Sequence, residues 1–175
     1  LRLLLALQWT HPGKHLLFMG GEIAQREEWN PSGALSWDVL GLAPHGGVQK
    51  LVADLNELYR ASPELYELDS SPDGFRWIDF ADFAHTVVSF RRISGDGREM
   101  VCVFNLTPVP RPGYRLGVPA PGRYAELINT DSRHYGGSGT GNLGGVDSDD
   151  IPWHGLDSSV ELFLPPLACI LLRLR

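Results

Sequence analysis

KHLLFMGGEIAQREEWNPSGALSW, residues 14–37, is the stretch from which the fold of this chain is predicted. It opens with an apolar run, Leu16–Met19, which is too short for a helix and is stopped by two glycines. Such a run is typical of a buried strand in a parallel sheet. The polar loop that follows carries carboxylates, amides and indoles, an arrangement typical of the active-site rim of a barrel. Because indoles stack on sugars and polar groups reach hydroxyls, the loop fits a carbohydrate site as well as an ordinary surface loop.

Composition and charge exclude several classes of protein. The chain has 175 residues, of which 43% are hydrophobic and 21% charged, as in an ordinary globular protein. A net charge of −6 with no cluster of lysine and arginine predicts no nucleic-acid partner. The apolar N-terminal segment is far shorter than the ~20 residues that span a bilayer, so no membrane contact is predicted. Cys102 and Cys169 lie in apparent strands, which predicts buried inert thiols and a reducing, cytoplasmic compartment.

Two helical segments enclose the short apolar run. Leu1–His11 is apolar on nearly all sides and is ended by Pro12 and Gly13, as expected for a helix inside a large protein. It lacks an N-cap residue, so we expect the helix to begin upstream and the chain to be a fragment. Gly47–Ser62 repeats apolar residues at helical spacing and stops at Pro63. Helix, strand, loop and helix together predict one and a half βα units, too few to close a barrel.

The pattern changes after Pro63, where short alternating runs are separated by glycine, proline and aspartate. Alternation with a period of two is typical of strands that bury one face. Seven such runs predict an antiparallel sandwich with its own core, so we predict two domains, residues 1–64 and residues 65–175. The seven runs are Gly74–Asp79, Thr86–Ile93, Glu99–Leu106, Tyr114–Val118, Arg123–Asn129, Val160–Leu164 and Ala168–Leu174.

Motifs for nucleotide, metal or serine-hydrolase chemistry are weak. Gly139–Gly144 spells G-x-G-x-x-G, but aspartates and a proline follow it instead of a helix N-terminus, so we interpret it as a glycine-rich loop. The six histidines have no metal-ligand spacing, and there is no G-x-S-x-G elbow. No metal and no cofactor are therefore predicted.

Two groups of side chains are open to both a functional and a structural interpretation. Trp153 and His154 could form a sugar platform on the sandwich, although a structural tryptophan in a loop fits as well. Three glutamates of the polar loop could act as acid or base, or could be solvated or paired with Arg26. These glutamates are Glu22, Glu27 and Glu28.

A set of motifs that runs through the whole chain carries a family resemblance. The motifs are FMGGE-x-x-Q-x-x-EWN, LSWD, HGGVQKLVADLNELYR, ELYELDSSPDGFRWIDF, FNLTPVPRPGYRLGVP, NTDSRHYGGSG and LPPLACILLR. They resemble the bacterial glycogen (1,4-α-glucan) branching enzymes of the α-amylase superfamily. The resemblance implies a mixed fold, with the last βα units of a (β/α)8 barrel followed by an all-β antiparallel sandwich domain. Leu16–Met19 would then be the eighth barrel strand and Gly47–Ser62 the eighth helix.

The resemblance also implies a reaction, a substrate and a partner. Branching enzymes are retaining transglycosylases that transfer an α-1,4-glucan segment to a C6 hydroxyl, which forms the α-1,6 branches of glycogen. Their catalytic carboxylates lie on earlier barrel strands, so no residue of this chain is assigned a catalytic role. The implied partners are α-glucan, such as glycogen or amylose, and the rest of the catalytic barrel. The residues implied to border the glucan cleft are Glu22, Gln25, Glu28, Trp29, Asn30 and Trp37.

Two positions depart from the family pattern, and two alternatives stay open. Gly21 stands where a polar residue is common, and Ile23 stands where an aromatic residue is common. These departures weaken the prediction of exact sugar contacts but not the assignment to the family. The chain could instead be a non-catalytic glucan-binding or structural β module. It could also belong to a related α-glucan enzyme, such as a trehalose-forming hydrolase, although the EWN and LSWD motifs followed by HGGVQKLVADLN favour a branching enzyme.

Overall fold

The computed structural model describes all 175 residues, with helix α1 at Arg2–Thr10 and helix α2 at Ala43–Ala61. Both predicted helices are confirmed, although α2 begins before the predicted start at Gly47. Pro44 lies in that additional first turn, where its fixed φ angle suits a helix and its missing N–H leaves no unpaired donor. Neither helix is long and apolar enough to cross a membrane.

The prediction of a strand at Leu16–Met19 is wrong for the fold seen here, because these residues join no sheet. Leu17 packs against the core, whereas Leu16 is 77% exposed and Phe18 is 63% exposed. A parallel strand needs a neighbour that pairs with its backbone, and every strand pair in this chain is antiparallel. The apolar run is therefore left beside α1, where Gln8 donates a hydrogen bond to the Leu16 carbonyl oxygen.

Eight strands follow α2, and all seven predicted runs are among them. The missed strand is β6, whose sequence GVDSD is short and carries residues that are depleted in strands. The strands are β1 Phe75–Asp82, β2 Val87–Ile93, β3 Glu99–Asn105, β4 Arg111–Val118, β5 Arg123–Asn129, β6 Gly145–Asp149, β7 Ser158–Leu164 and β8 Ala168–Leu174.

The strands form one antiparallel sheet in the order β1-β2-β3-β8-β5-β6-β7-β4. β6 connects the two halves of the sheet, because its first residues pair with β5 and its last residues pair with β7. The order begins with β1 and ends with β4, so each of these strands has one partner only. The all-antiparallel architecture predicted for the C-terminal part of the chain is confirmed.

The central strands β3 and β8 are buried on both faces by two apolar cores. Cys102 and Phe104 point to the core that α1 and α2 complete, and Val101 and Val103 point to the core between the two halves of the sheet. Cys102 and Cys169 are free and buried, as predicted, and burial raises the pKa of both thiols above the ordinary value. Both cysteines are therefore held as thiols and serve as small apolar side chains.

Arg92 is fully buried in β2 and ties the helical part of the chain to the sheet. Its guanidinium donates to the carbonyl oxygens of Thr10 at 2.7 Å, Leu65 at 3.0 Å and Gly74 at 3.3 Å. It also forms an ion pair with Asp69. Because a buried charge is tolerated only when it is paired and hydrogen-bonded, these partners have to stay in place around Arg92.

Candidate functional site

The predicted site, residues 20–37, is called the rim loop here, and it begins with a tight turn at Gly20. Gly20 has a φ angle of +87°, and a Cβ at this position would lie 2.9 Å from the Cβ of Gln25. Gly21–Ile23 then form one turn of 3₁₀ helix, and Ala24 takes the left-handed conformation with a φ angle of 56°. Ile23 is completely buried and anchors this turn to the rest of the protein. The start of the rim loop is thus fixed by backbone geometry and by one buried side chain.

Two of the predicted sugar contacts, Gln25 and Asn30, are engaged within the rim loop itself. The Gln25 Oε1 atom accepts a hydrogen bond of 3.0 Å from the Ser36 N–H, and its Nε2 atom donates one of 3.1 Å to the Glu27 carbonyl oxygen. The Asn30 Oδ1 atom accepts from the Ser32 N–H at 2.9 Å. The Gln25 amide joins the two arms of the loop, whereas the Asn30 amide closes a local turn, so both side chains shape the loop.

Two indoles of the rim loop lie at the surface. Trp29 is 38% exposed and packs edge-on against Phe18, with the ring centroids 5.4 Å apart. Trp37 is 53% exposed and opens a short 3₁₀ helix, Trp37–Gly41, without stacking on the other indole. Both rings are available to an external ligand, and they are held by separate parts of the loop.

The three glutamates of the rim loop differ in exposure and are not paired with Arg26. Glu22 lies in the 3₁₀ turn and is half-buried, whereas Glu27 and Glu28 are exposed. None of them forms an ion pair with Arg26. No group of three or more His, Cys, Asp or Glu side chains is placed to hold a metal ion.

The sequence gives no indication that His45 supports the rim loop. His45 is buried in the first turn of α2, and its Nδ1 atom lies 2.9 Å from the Ile23 carbonyl oxygen. Because a carbonyl oxygen only accepts, Nδ1 is the donor, which fixes the tautomer of the ring. His45 therefore fastens the rim loop to α2 across 22 residues of chain.

Replacing His45 with alanine is expected to lower the free energy of unfolding by about 1–3 kcal/mol, since the buried Ile23 carbonyl oxygen then loses its donor. Urea denaturation followed by circular dichroism measures the change. His134→Ala is the matched control, because His134 is exposed and its substitution is expected to stay within about 0.5 kcal/mol. Equal midpoints for the two variants would contradict the assigned role of His45.

Large apolar side chains are exposed in unusual number in the first 42 residues. Contiguous exposed apolar surface marks an interaction site, such as a contact with another protein or a ligand-binding groove. The exposed side chains in this segment are Leu1, Leu4, Leu16, Phe18, Met19, Trp29, Trp37 and Leu42.

Comparison with known proteins agrees with the fold of the C-terminal part. Residues 77–175, most of the eight-stranded sheet, match the family described as the alpha amylase C-terminal all-beta domain. The chain belongs to this family. The chain is similar to the alpha-amylase from H. orenii, with a TM-score of 0.61 at 18% identity over 99% of this chain and 35% of that one. This similarity concerns the fold alone.

Curated relatives of the chain are named as branching enzymes. It is 51% identical, over 99% of its length, to the 1,4-alpha-glucan branching enzyme GlgB of Aquifex aeolicus (strain VF5), of which it covers 28%. It is 54% identical, over 97% of its length, to the GlgB of Burkholderia thailandensis, of which it covers 20%. The chain thus spans about a quarter of the length of these relatives and corresponds to their C-terminal part. The predicted resemblance to branching enzymes is confirmed.

Proposed function

We propose that this chain is the C-terminal part of a 1,4-α-glucan branching enzyme of glycogen biosynthesis. The observation that carries the proposal is the identity of 51–54% to such enzymes over 97–99% of the chain. In this proposal residues 1–64 complete the end of a catalytic (β/α)8 barrel, and residues 65–175 form the β domain behind it. The two free, buried cysteines support a cytoplasmic location for the enzyme.

The rest of the catalytic barrel is the proposed partner of residues 1–42. This segment exposes apolar side chains such as Leu16, Phe18 and Met19, which a neighbouring strand and helices would cover. Such cover would also give Leu16–Met19 the parallel neighbour that it lacks here, so that the run could become the eighth barrel strand. The rim loop would then lie at the carboxyl end of that strand, where barrel enzymes have their active sites.

The proposed chemistry is transfer of a glucan segment with retention of configuration. A carboxylate nucleophile attacks the anomeric carbon of an α-1,4 bond and forms a covalent glycosyl-enzyme, while the acid/base residue protonates the leaving oxygen of the remaining donor chain. The same residue then takes the proton of a C6 hydroxyl of an acceptor chain, whose oxygen attacks the anomeric carbon and releases the carboxylate. The nucleophile and the acid/base residue are proposed to lie outside these 175 residues. Within the chain, Trp29 and Trp37 offer exposed rings to the α-glucan, Glu22 and Glu28 belong to the same loop, and Gln25 and Asn30 shape the loop.

A chimera tests this proposal most directly. The chain is joined to the N-terminal remainder of the Aquifex aeolicus enzyme, and branching of amylose is followed by the loss of iodine colour. The chimera is expected to branch amylose, whereas the 175-residue chain alone is expected to be inactive. Branching by the chain alone would contradict the placement of the catalytic carboxylates, and Glu22, Glu27 and Glu28 would become candidates. A folded chimera without activity would contradict the proposed function.

Trp29→Ala in the chimera is expected to raise the KM for amylose about tenfold, which corresponds to the loss of about 1.4 kcal/mol of binding. The physical reason is the removal of an exposed ring that would stack on sugar. Phe83→Ala serves as control, because Phe83 is 86% exposed in the turn after β1, outside the rim loop. An unchanged KM for Trp29→Ala would exclude the rim indole from glucan binding.

A further inference from the structure

β1 and β4, the two ends of the strand order, face one another without pairing their backbones. Side chains connect them instead, since the Tyr114 hydroxyl donates to the Asp82 carboxylate at 2.9 Å. The Arg111 guanidinium also donates to the carbonyl oxygen of His85, in the turn after β1, at 3.2 Å. A cavity of about 760 Å³ lies at this junction and is called the seam cavity here. Its volume is within the range of about 300–1,000 Å³ found for small-molecule sites.

The backbone is irregular at the strand positions that line the seam cavity. In β1 the pairing register shifts on both sides of Asp79, and in β4 it shifts between Arg111 and Tyr114. Bulges re-aim side chains and are over-represented beside binding sites. The two edges are thus shaped so that polar side chains point into the junction and do not continue a regular ladder.

A rigid turn, Trp153–Leu156, closes one side of the seam cavity. Two backbone hydrogen bonds close the turn, with Trp153 N–H to Leu156 O at 2.9 Å and Leu156 N–H to Trp153 O at 3.0 Å. His154 has a φ angle of 52°, which is unusual for a residue with a side chain. Its Nδ1 atom accepts from the Gly117 N–H at 3.3 Å, and its Nε2 atom lies 3.4 Å from the Asp79 carboxylate. An unfavourable backbone conformation that is held from two sides points to a positioning role for the turn.

The charges of the seam cavity favour a neutral ligand. The lining carries two carboxylates, Asp79 and Asp82, and two guanidiniums, Arg111 and Arg115. Arg115 is already paired with Asp149 and Glu161, at 2.8 Å and 3.3 Å. The His154 ring is neutral, because its Nδ1 atom accepts a hydrogen bond from the Gly117 N–H and so carries no proton, and burial lowers its pKa although Asp79 and Asp82 oppose the shift. A phosphate would meet the carboxylates, and a cation would meet the guanidiniums, whereas hydroxyl groups suit both.

The indole of Trp153 supplies an apolar face in the same cavity. Its side chain is 45% exposed, although the turn that carries it is fixed by backbone and side-chain hydrogen bonds. An exposed ring on a hydrogen-bonded turn, surrounded by hydrogen-bond donors and acceptors, is the chemistry that binds the apolar face and the hydroxyls of a pyranose.

We propose that the seam cavity is a non-catalytic site for a short α-1,4-glucan segment, with Trp153 as the stacking platform. The geometry and charge specify a neutral sugar, and the choice of α-1,4-glucan among neutral sugars rests on the proposed function. The site binds the polymer on the β domain, away from the rim loop, and so retains a glucan chain on the protein between encounters with the cleft.

The test uses the indole N–H signals of the 15N-labelled 175-residue chain, which has five tryptophans and therefore five such signals. The signals are assigned with single Trp→Phe variants, and the chain is titrated with maltoheptaose and, separately, with inorganic phosphate. Maltoheptaose is expected to shift the Trp153 signal saturably, whereas phosphate is expected to leave it in place. A Trp153 signal that maltoheptaose does not move, or that phosphate moves equally, would overturn the proposal.

Variants and the other indoles make the result specific. Trp153→Ala is expected to weaken maltoheptaose binding at least tenfold, read from the backbone amide of Gly117, which contacts His154. Trp77→Ala is the matched control, because Trp77 is 47% exposed and lies outside the seam cavity. Equal affinities for the two variants would also overturn the proposal. The Trp29 and Trp37 signals report on the rim loop, so shifts confined to them reject the seam site and leave the proposed function standing, because that function is tested separately by the activity of the chimera.

Discussion

Replacing Arg92 with methionine is expected to lower the free energy of unfolding by about 3–5 kcal/mol. Methionine has a similar length and fits an apolar environment, but it cannot donate to the carbonyl oxygens of Thr10 and Leu65. Asp69 would also lose its ion-pair partner at the edge of the core. The loss of a buried charge that several groups share leaves each of those groups unpaired, and this explains the large expected effect. Urea denaturation followed by tryptophan fluorescence measures it.

Arg123→Met is the control for Arg92→Met. Arg123 forms an ion pair of 2.7 Å with Asp147, and its side chain is 49% exposed, so its loss is expected to cost less than about 1 kcal/mol. Because both substitutions remove one guanidinium, a difference in stability between the two variants reports the effect of burial and not of charge. If the two variants unfolded at the same urea concentration, Arg92 would not be the connection between helices and sheet that its contacts indicate.

Removal of residues 1–64 is expected to make the remaining sheet, residues 65–175, self-associate into oligomers. The helices cover one face of the sheet, and their loss exposes apolar side chains that are now buried. The core between the two halves of the sheet stays complete, so strand content is expected to be largely retained. The side chains exposed are Phe90, Met100, Cys102, Phe104, Ile128, Cys169 and Leu171.

Light scattering after size exclusion, together with binding of a hydrophobic dye, measures the effect of the deletion. The fragment 65–175 is expected to elute as oligomers and to bind the dye, whereas the full chain serves as the reference. This result would place the helices in the folding unit of the sheet. A monomeric fragment that melts at the temperature of the full chain would contradict the expectation, and it would support a domain boundary at 64/65.

The secondary structure was largely predictable because it follows from local periodicity. Arg123–Asn129 and Ala168–Leu174 have the predicted bounds, since alternating apolar residues report directly on a strand with one face inward. β6 was missed because glycine and aspartate dominate its five residues. The run Leu16–Met19 shows the limit of such reasoning, because apolar composition favours burial of a segment but does not state whether a partner strand is present.

The candidate site was predictable in part. The exposure of Trp29 and Trp37 agrees with a rim that could meet a ligand, and that use of the rim stays a prediction. The engagement of Gln25 with Ser36 and the support of the turn by His45 depend on contacts between residues far apart in the sequence. The seam cavity depends on the order of the strands, which brings the first and last strands of the sheet together, and no local pattern encodes that order.

The junction of β1 and β4 also protects the protein against unwanted assembly. A strand with one partner exposes free N–H and C=O groups, and these can template the addition of a strand from another molecule. Here β1 and β4 lie against each other at their unpaired edges, and the register of both strands is irregular. Pro112 in β4 also offers no N–H to an added strand. A growing fibril would have to displace the Tyr114–Asp82 hydrogen bond before it could pair with either strand. The same side chains that shape a cavity thereby keep the sheet from recruiting its own copies.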